Sequence, residues 1–184
     1  MCVRICVIGN SGSGKSTLAR VLAHELGLAH IELDSFFHQP DWQATPPDLF
    51  RRNVSAAQEA AENTTGGWVC DGNYMRHLTD LTVERADVIV CFQFSRVRVM
   101  RQLIRRTLRR TLLREELWNG NRERFRNMFS PKPEVNILRW AWTQHDNYTA
   151  TFAELRSHST AIWIDIRTAR DRDAAVDAVQ AALA

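Results

Sequence analysis

Gly9-Asn10-Ser11-Gly12-Ser13-Gly14-Lys15-Ser16-Thr17 is the stretch on which the reading of this chain turns. It fills the pattern G-x-x-x-x-G-K-[ST], is entered from the apolar run Val3 to Ile8 and leads into an amphipathic segment starting near Lys15. Strand, glycine-rich turn and helix in that order let the backbone wrap closely around a polyphosphate. The N–H groups then point inward, and the positive end of the helix dipole adds to them. Every residue from Gly9 to Thr17 is therefore a candidate nucleotide-binding residue. Lys15 is placed to reach the β- and γ-phosphates of ATP, and the Ser16 hydroxyl to ligate Mg²⁺.

Working outward, apolar runs of four to eight residues alternate with longer helical patterns, which predicts an α/β domain with a mainly parallel sheet. Strands are expected at Val3 to Ile8, His30 to Leu33, Trp68 to Cys70, Val88 to Phe94 and Ala161 to Ile164. Helices are expected at Lys15 to Leu26, Pro47 to Asn63, Leu78 to Arg85, Arg96 to Arg114, Glu134 to Arg156 and Arg172 to Ala182. Pro46-Pro47 suits a helix start and Gly66-Gly67 a stop. In the fifth helix Leu138, Ala141, His145, Tyr148, Phe152 and Leu155 recur at steps of three and four, so His145 and Tyr148 read first as packing residues. With no repeat or linker, residues 1–184 form one expected domain. Two weakly patterned segments interrupt it, Asp34 to Thr45 and Glu115 to Pro133. Both follow strand-to-helix units, where open parallel sheets bind ligands.

Composition narrows the classes. With 45% hydrophobic and 24% charged residues the chain has ordinary globular proportions. It has no apolar stretch of the ~18 residues that a membrane span requires. The N-terminus enters a strand directly, so a cytoplasmic protein with no membrane partner is expected. Cys2, Cys6, Cys70 and Cys91 lack metal-ligand spacing and fit free thiols, mostly buried. The net charge of +3 hides a strongly basic segment: Arg96 to Arg126 holds eleven arginines against three glutamates.

Phosphoryl transfer needs positioning, a metal and positive charge on the migrating group. Asp71 ends the run Trp68-Val69-Cys70 and precedes Gly72, as does an acid that holds Mg²⁺ through its water shell; capping a turn is the other role open to it. Asp34 follows Ile31-Glu32-Leu33 and would face the acceptor side, as general base, as acceptor ligand or as a loop cap. His38 and Trp42 could line an acceptor pocket, though a structural role suits either alone. Arg98, Arg101, Arg105 and Arg109 recur along one helix face, as do Arg106 and Arg110, and such guanidinium forks suit phosphate clamping or a solvated surface. Arg122, Arg124 and Arg126 resemble lid arginines that close over nucleotide and exclude water.

Taken together, Gly9 to Thr17, the Leu33-Asp34 strand end, Trp68-Val69-Cys70-Asp71-Gly72-Asn73-Tyr74, the arginine-rich helix and Glu116-Leu117-Trp118-Asn119-Gly120-Asn121-Arg122-Glu123 resemble the adenylate-kinase-related P-loop proteins. Within these the chain looks like the FlaR-like group, labelled DNA topology modulation protein or AAA family ATPase. The resemblance spans roughly residues 3 to 165. It implies a five-stranded parallel sheet in order 2-3-1-4-5, flanking helices, an arginine-rich lid over about 114–133 and an acceptor-side segment over about 34–65. It also implies phosphate and Mg²⁺ roles for Lys15 and Ser16, a metal-shell role for Asp71 and an acceptor-phosphate role for Arg76. The expected activity is transfer of the γ-phosphoryl of MgATP to a nucleoside, nucleotide or other small acceptor. Lys15, Asp34, Asp71, Arg76, Arg105, Arg109 and Arg122 are the candidate catalytic residues. An ATP-binding regulatory protein associated with nucleic acid and a kinase-type toxin are the alternatives. Nucleic acid is the less favoured partner, because no DNA-reading motif is present.

Overall fold

The computed structural model describes residues 2–132 and 136–184. Five strands, β1 (Val3–Gly9), β2 (Ala29–Glu32), β3 (Gly67–Asp71), β4 (Val88–Phe92) and β5 (Ile162–Ile166), form one parallel sheet in the order β2-β3-β1-β4-β5. This is the order 2-3-1-4-5 that the resemblance implied. Strands β1, β3 and β4 are buried on both faces, so they read as continuous apolar runs rather than alternating ones. Alternate residues of β1 face two different cores. Ile5 and Val7 pack with Leu18 and Leu22 of α1 (Lys15–Leu26) and with Ala175 and Val179 of α8 (Ala175–Leu183). Cys6 and Ile8 pack with Phe152 of α6 (Ile137–His158) on the opposite face. The expected free thiols are there: Cys6, Cys70 and Cys91 are buried, and burial pushes the Cys6 and Cys91 thiols up to about 12.

A third cluster joins α3 (Pro47–Thr65) to the β2–β3 side through Phe50, Val54, Trp68 and Leu78. Beside it the Glu62 carboxylate accepts from Arg4 Nε at 2.9 Å, Arg85 Nη2 at 2.8 Å and Trp68 Nε1 at 3.1 Å, which ties α3 to the sheet.

Four predicted boundaries shift for visible reasons. Leu33 does not extend β2; it opens the short helix α2 (Leu33–Phe37), so Asp34 stands in the first helical turn after the strand. The helix expected over Leu78 to Arg85 shrinks to α4 (Met75–Leu78), followed by turns. Side chains of α3 claim the carbonyls that would continue it: Gln58 donates to Leu81 O at 2.7 Å, and Arg51 donates to His77 O. The last helix begins earlier, as α7 (Ala169–Asp173) under a Thr168–Asp171 capping box, and breaks at Ala174 before α8. The expected start of α6 at Glu134 lies outside the described residues. The helix runs from Ile137, where Asn136 Oδ1 accepts from Leu138 N at 3.1 Å and Arg139 N at 3.2 Å. No helix of the described residues is long and apolar enough to cross a membrane.

Candidate active site

The phosphate loop hangs from β1 and hands over to α1. Gly14 caps that helix at φ 100°, a left-handed setting that favours glycine, and supplies no side-chain hydrogen bond to the first turn. The leading N–H groups of α1 are therefore available to an anion. At Gly12, with φ 84°, an added Cβ would stand 2.8 Å from Leu103 Cβ, so the loop lies directly against α5 (Arg96–Leu112). Asn73 fixes the loop from the β3 side, donating from Nδ2 to Gly9 O at 2.6 Å and accepting from Gly9 N at 3.2 Å. Lys15 Nζ donates to Asn10 O at 3.1 Å across the loop. Burial lowers the Lys15 ammonium, while Asp71 and Asp34 pull it back up and Arg106 pushes it down.

The end of β3 places Asp71 beside that helix start. Ser16 Oγ donates to Asp71 Oδ2 at 2.5 Å, and His30 Nε2 of β2 lies 2.8 Å from the other carboxylate oxygen. A hydroxyl beside a carboxylate is a hard oxygen pair of the kind Mg²⁺ takes. Among the described residues no group of three or more His, Cys, Asp or Glu side chains could hold a metal ion. Such a site suits a cation that arrives with its phosphates and keeps most of its waters. His30 was not foreseen: nothing in Ala29-His30-Ile31-Glu32 distinguishes it until register sets β2 beside β3.

Asp34 sits across from Lys15. Its Oδ1 accepts from Tyr74 Oη at 2.6 Å, and its charge raises the Tyr74 hydroxyl further above a range already lifted by burial. Facing it from α5 is Arg106. This guanidinium is pushed down to about 10 by burial and by Arg110, with Glu123 and Asp34 opposing, and its buried Nε has no hydrogen-bond partner. Arg106 and Arg110 continue the inward stripe of Val99, Leu103 and Thr107. Arg105 and Arg109 fall on the exposed side of α5, where Arg109 Nε pairs with Glu115 at 2.9 Å. The spacing of Arg106, three residues after Leu103 and four before Arg110, was the signal that could have separated them. Arg76 is exposed on α4, and exposed Arg122 pairs with Glu116 at 3.2 Å.

The two irregular segments meet just beyond Asp34. Short 3₁₀ turns at Pro40–Trp42 and Trp118–Gly120 each hold non-glycine residues at positive φ, Asp41 and Trp42 in one and Asn119 in the other. Asn119 Nδ2 donates to His38 O at 2.6 Å and to Ser35 O at 3.2 Å. Asn121 Oδ1 accepts from Trp42 N at 2.9 Å, while its Nδ2 donates to Gln39 O at 2.8 Å. Trp118 stacks on His38 with ring centroids 5.7 Å apart, and Trp42 meets both rings edge-on. Sequence reasoning proposed both loops as site elements but had no means to see them laced together.

Against known proteins, a family model described as shikimate kinase matches residues 11–130, from within the phosphate loop to just beyond a third 3₁₀ turn at Phe125–Phe129. The chain belongs to the shikimate kinase family. It is accordingly an ATP-dependent small-molecule kinase, in agreement with the broader resemblance to adenylate-kinase-related P-loop kinases. A shikimate kinase from Bacteroides thetaiotaomicron is similar in structure, with TM-score 0.54, 14% identity and 98% of each chain covered. Another, from Acinetobacter baumannii in complex with shikimate, gives TM-score 0.56 at 16% identity, covering 100% of this chain and 94% of that one. At these identities the solved structures speak for the fold. No curated protein sequence matches the chain.

Proposed function

We propose that the acceptor is a small polyhydroxylated molecule of the shikimate kind, and that Asp34 receives the proton of the hydroxyl that attacks ATP. The observation that carries this reading is that Asp34, held by Tyr74 Oη at 2.6 Å, stands near enough to Lys15 and Arg106 for its charge to raise both cations. A base beside two cations is what transfer between a hydroxyl and a triphosphate requires. In the proposed step the acceptor oxygen forms a bond to the γ-phosphorus as its proton passes to Asp34. The bond from that phosphorus to the β–γ bridging oxygen breaks, and its electron pair leaves with ADP. Tyr74 Oη holds the Asp34 carboxylate in one orientation through the whole step.

Lys15 and Arg106 supply fixed positive charge where the migrating phosphoryl gains negative charge. Ser16 and Asp71 are the residues that would hold Mg²⁺, Ser16 directly and Asp71 through water. The metal, when bound, neutralises charge on the β- and γ-phosphates. The segment 114–133 acts as the lid that keeps water from competing with the acceptor. Arg76 and Arg122 are assigned to the rim of the acceptor side, consistent with their exposure. Among the stretches on which the finer likeness to the FlaR-like group rests are Trp68 to Tyr74 and Glu116 to Glu123, and in this reading both serve the kinase site: one anchors the phosphate loop and Asp34, the other roofs the acceptor.

The test is direct. With MgATP, shikimate and a panel of cyclic polyols, nucleosides and nucleoside monophosphates, ³¹P NMR is expected to show a new phosphate monoester with a polyol. Esters formed only with nucleosides or nucleotides would reassign the acceptor. Release of inorganic phosphate with no ester formed from any of them would contradict the proposal.

A further inference from the structure

A second cavity, of about 480 Å³, opens on the face of the sheet away from α1, between α6 and the C-terminal ends of β4 and β5. It lies behind the phosphate loop rather than over α1, the helix that receives the phosphates, and of its walls only Asn10 belongs to that loop. Its volume falls in the range of small-molecule sites.

The walls define the ligand. Phe152 of α6 and Trp163 of β5, packed in one cluster, give the cavity an aromatic wall. The Trp163 indole N–H is buried without a hydrogen-bond partner, and so is Asn10 Oδ1 at the end of the cavity nearest the phosphate loop. Arg156 and Arg167 both belong to the lining and share a single carboxylate. Asp165 accepts from both ends of the Arg156 fork, Nη1 at 3.2 Å and Nη2 at 2.8 Å, from Arg167 Nη2 at 2.9 Å and from Gln93 Nε2 at 3.0 Å, while Arg167 Nε donates to Gln93 Oε1 at 3.3 Å. Two guanidiniums on one acid leave one positive charge in excess, and each retains unused donors. Arg156 also lies over the Trp163 ring, 4.9 Å from its centroid, which sets the cation against that aromatic wall. Of the other charged and titratable groups, Arg96 pairs with Asp146, and His145 lies between Phe94 O and Asp146, so neither neutralises that excess.

We propose that this cavity is a second ligand site, for a small planar aromatic carboxylate. The ring lies against the aromatic wall of Phe152 and Trp163, and the carboxylate takes the N–H donors that Arg156 and Arg167 leave unused beside Asp165. The edge of the ring approaches Asn10, so the site adjoins the phosphate loop without occupying it.

Isothermal titration of the whole protein with 1-naphthoate tests this, with the uncharged isostere 1-naphthamide as control. Naphthoate is expected to bind one per chain, and naphthamide about tenfold more weakly or worse for want of the charged hydrogen bonds. Ala153 and Thr149 are exposed residues that line the mouth, so Ala153→Trp and Thr149→Trp fill the cavity without disturbing the core. Either variant should abolish naphthoate binding while leaving the thermal transition intact. Lys15→Ala and saturating MgATP should both leave it unchanged. The proposal is overturned by absence of naphthoate binding, by equal binding of the amide, by binding that survives both tryptophan variants, or by loss of binding on addition of MgATP.

Discussion

The phosphate loop and the acceptor pocket face one another across the end of the same sheet, yet they are built in opposite ways. The donor half is contiguous. Nine consecutive residues bring their own backbone donors, and the outside support that matters comes from Asn73 on Gly9 and Asp71 on Ser16. The acceptor half is assembled from separate parts of the chain: Asp34 from α2, Tyr74 from the loop after β3, Arg106 from α5, and the Asn119–Asn121 turn laced onto the 35–42 loop. Local construction makes the first half insensitive to distant substitutions. The second half depends on contacts between residues about eighty positions apart.

Damage to the donor half should have the largest effect. Lys15→Ala is expected to lower kcat roughly 10³-fold, since the lysine is a preorganised cation at the charge that develops in the transition state. A rapid-quench assay with saturating acceptor checks it. Next comes a pair on one helix. Arg106→Ala is expected to reduce kcat/KM by about 10²-fold, and Arg105→Ala by less than about threefold, because only the former points its guanidinium into the enclosure. Equal losses would merge the two faces of α5 and remove the contrast.

The lacing of the two loops gives a smaller and more selective effect. Asn121→Ala removes an acceptor for Trp42 N and a donor to Gln39 O, and should raise the KM for acceptor about tenfold, from roughly 1–1.5 kcal/mol of lost hydrogen bonding, with the KM for ATP unmoved. A matching rise in both constants would show that the halves are one mechanical unit.

The smallest effect concerns pH. Burial holds His38 below its ordinary value of 6.5, with Asp34 opposing. The unfolded chain therefore takes up a proton that the folded chain refuses, and stability falls as pH drops from 6.5 toward the lowered folded value. Calorimetric Tm measured between pH 7 and pH 5 should decline more steeply in the native chain than in His38→Asn.

This contrast also explains what the sequence made legible. The donor half could be read because its chemistry depends on residue order alone, and the sheet order followed from resemblance. Asp34 and Asp71 were identified as candidate groups, although Asp34 stands on a helical turn and not at a strand end. The arginines were harder, since a run dense in one residue type hides which face is inward; the apolar stripe Val99–Leu103–Thr107 decides it only once α5 is seen to pack against Gly12. His30 carried no sequence signal, and Asn73, Asn119 and Asn121 stood only inside motifs of the resemblance, with no role of their own. Each acts through a partner brought near by topology, and a polar residue in a loop looks the same whether or not it has such a partner.

The claim that joins the halves is that Asp34 serves the acceptor and not the nucleotide. Asp34→Asn keeps the size of the side chain and an oxygen for Tyr74, and removes the base. Calorimetry should show MgATP binding within about twofold of the native chain, while acceptor phosphorylation under saturating substrates falls at least 10²-fold. Turnover that persists in Asp34→Asn, or ATP affinity that collapses with it, would contradict the division of the site proposed for this kinase.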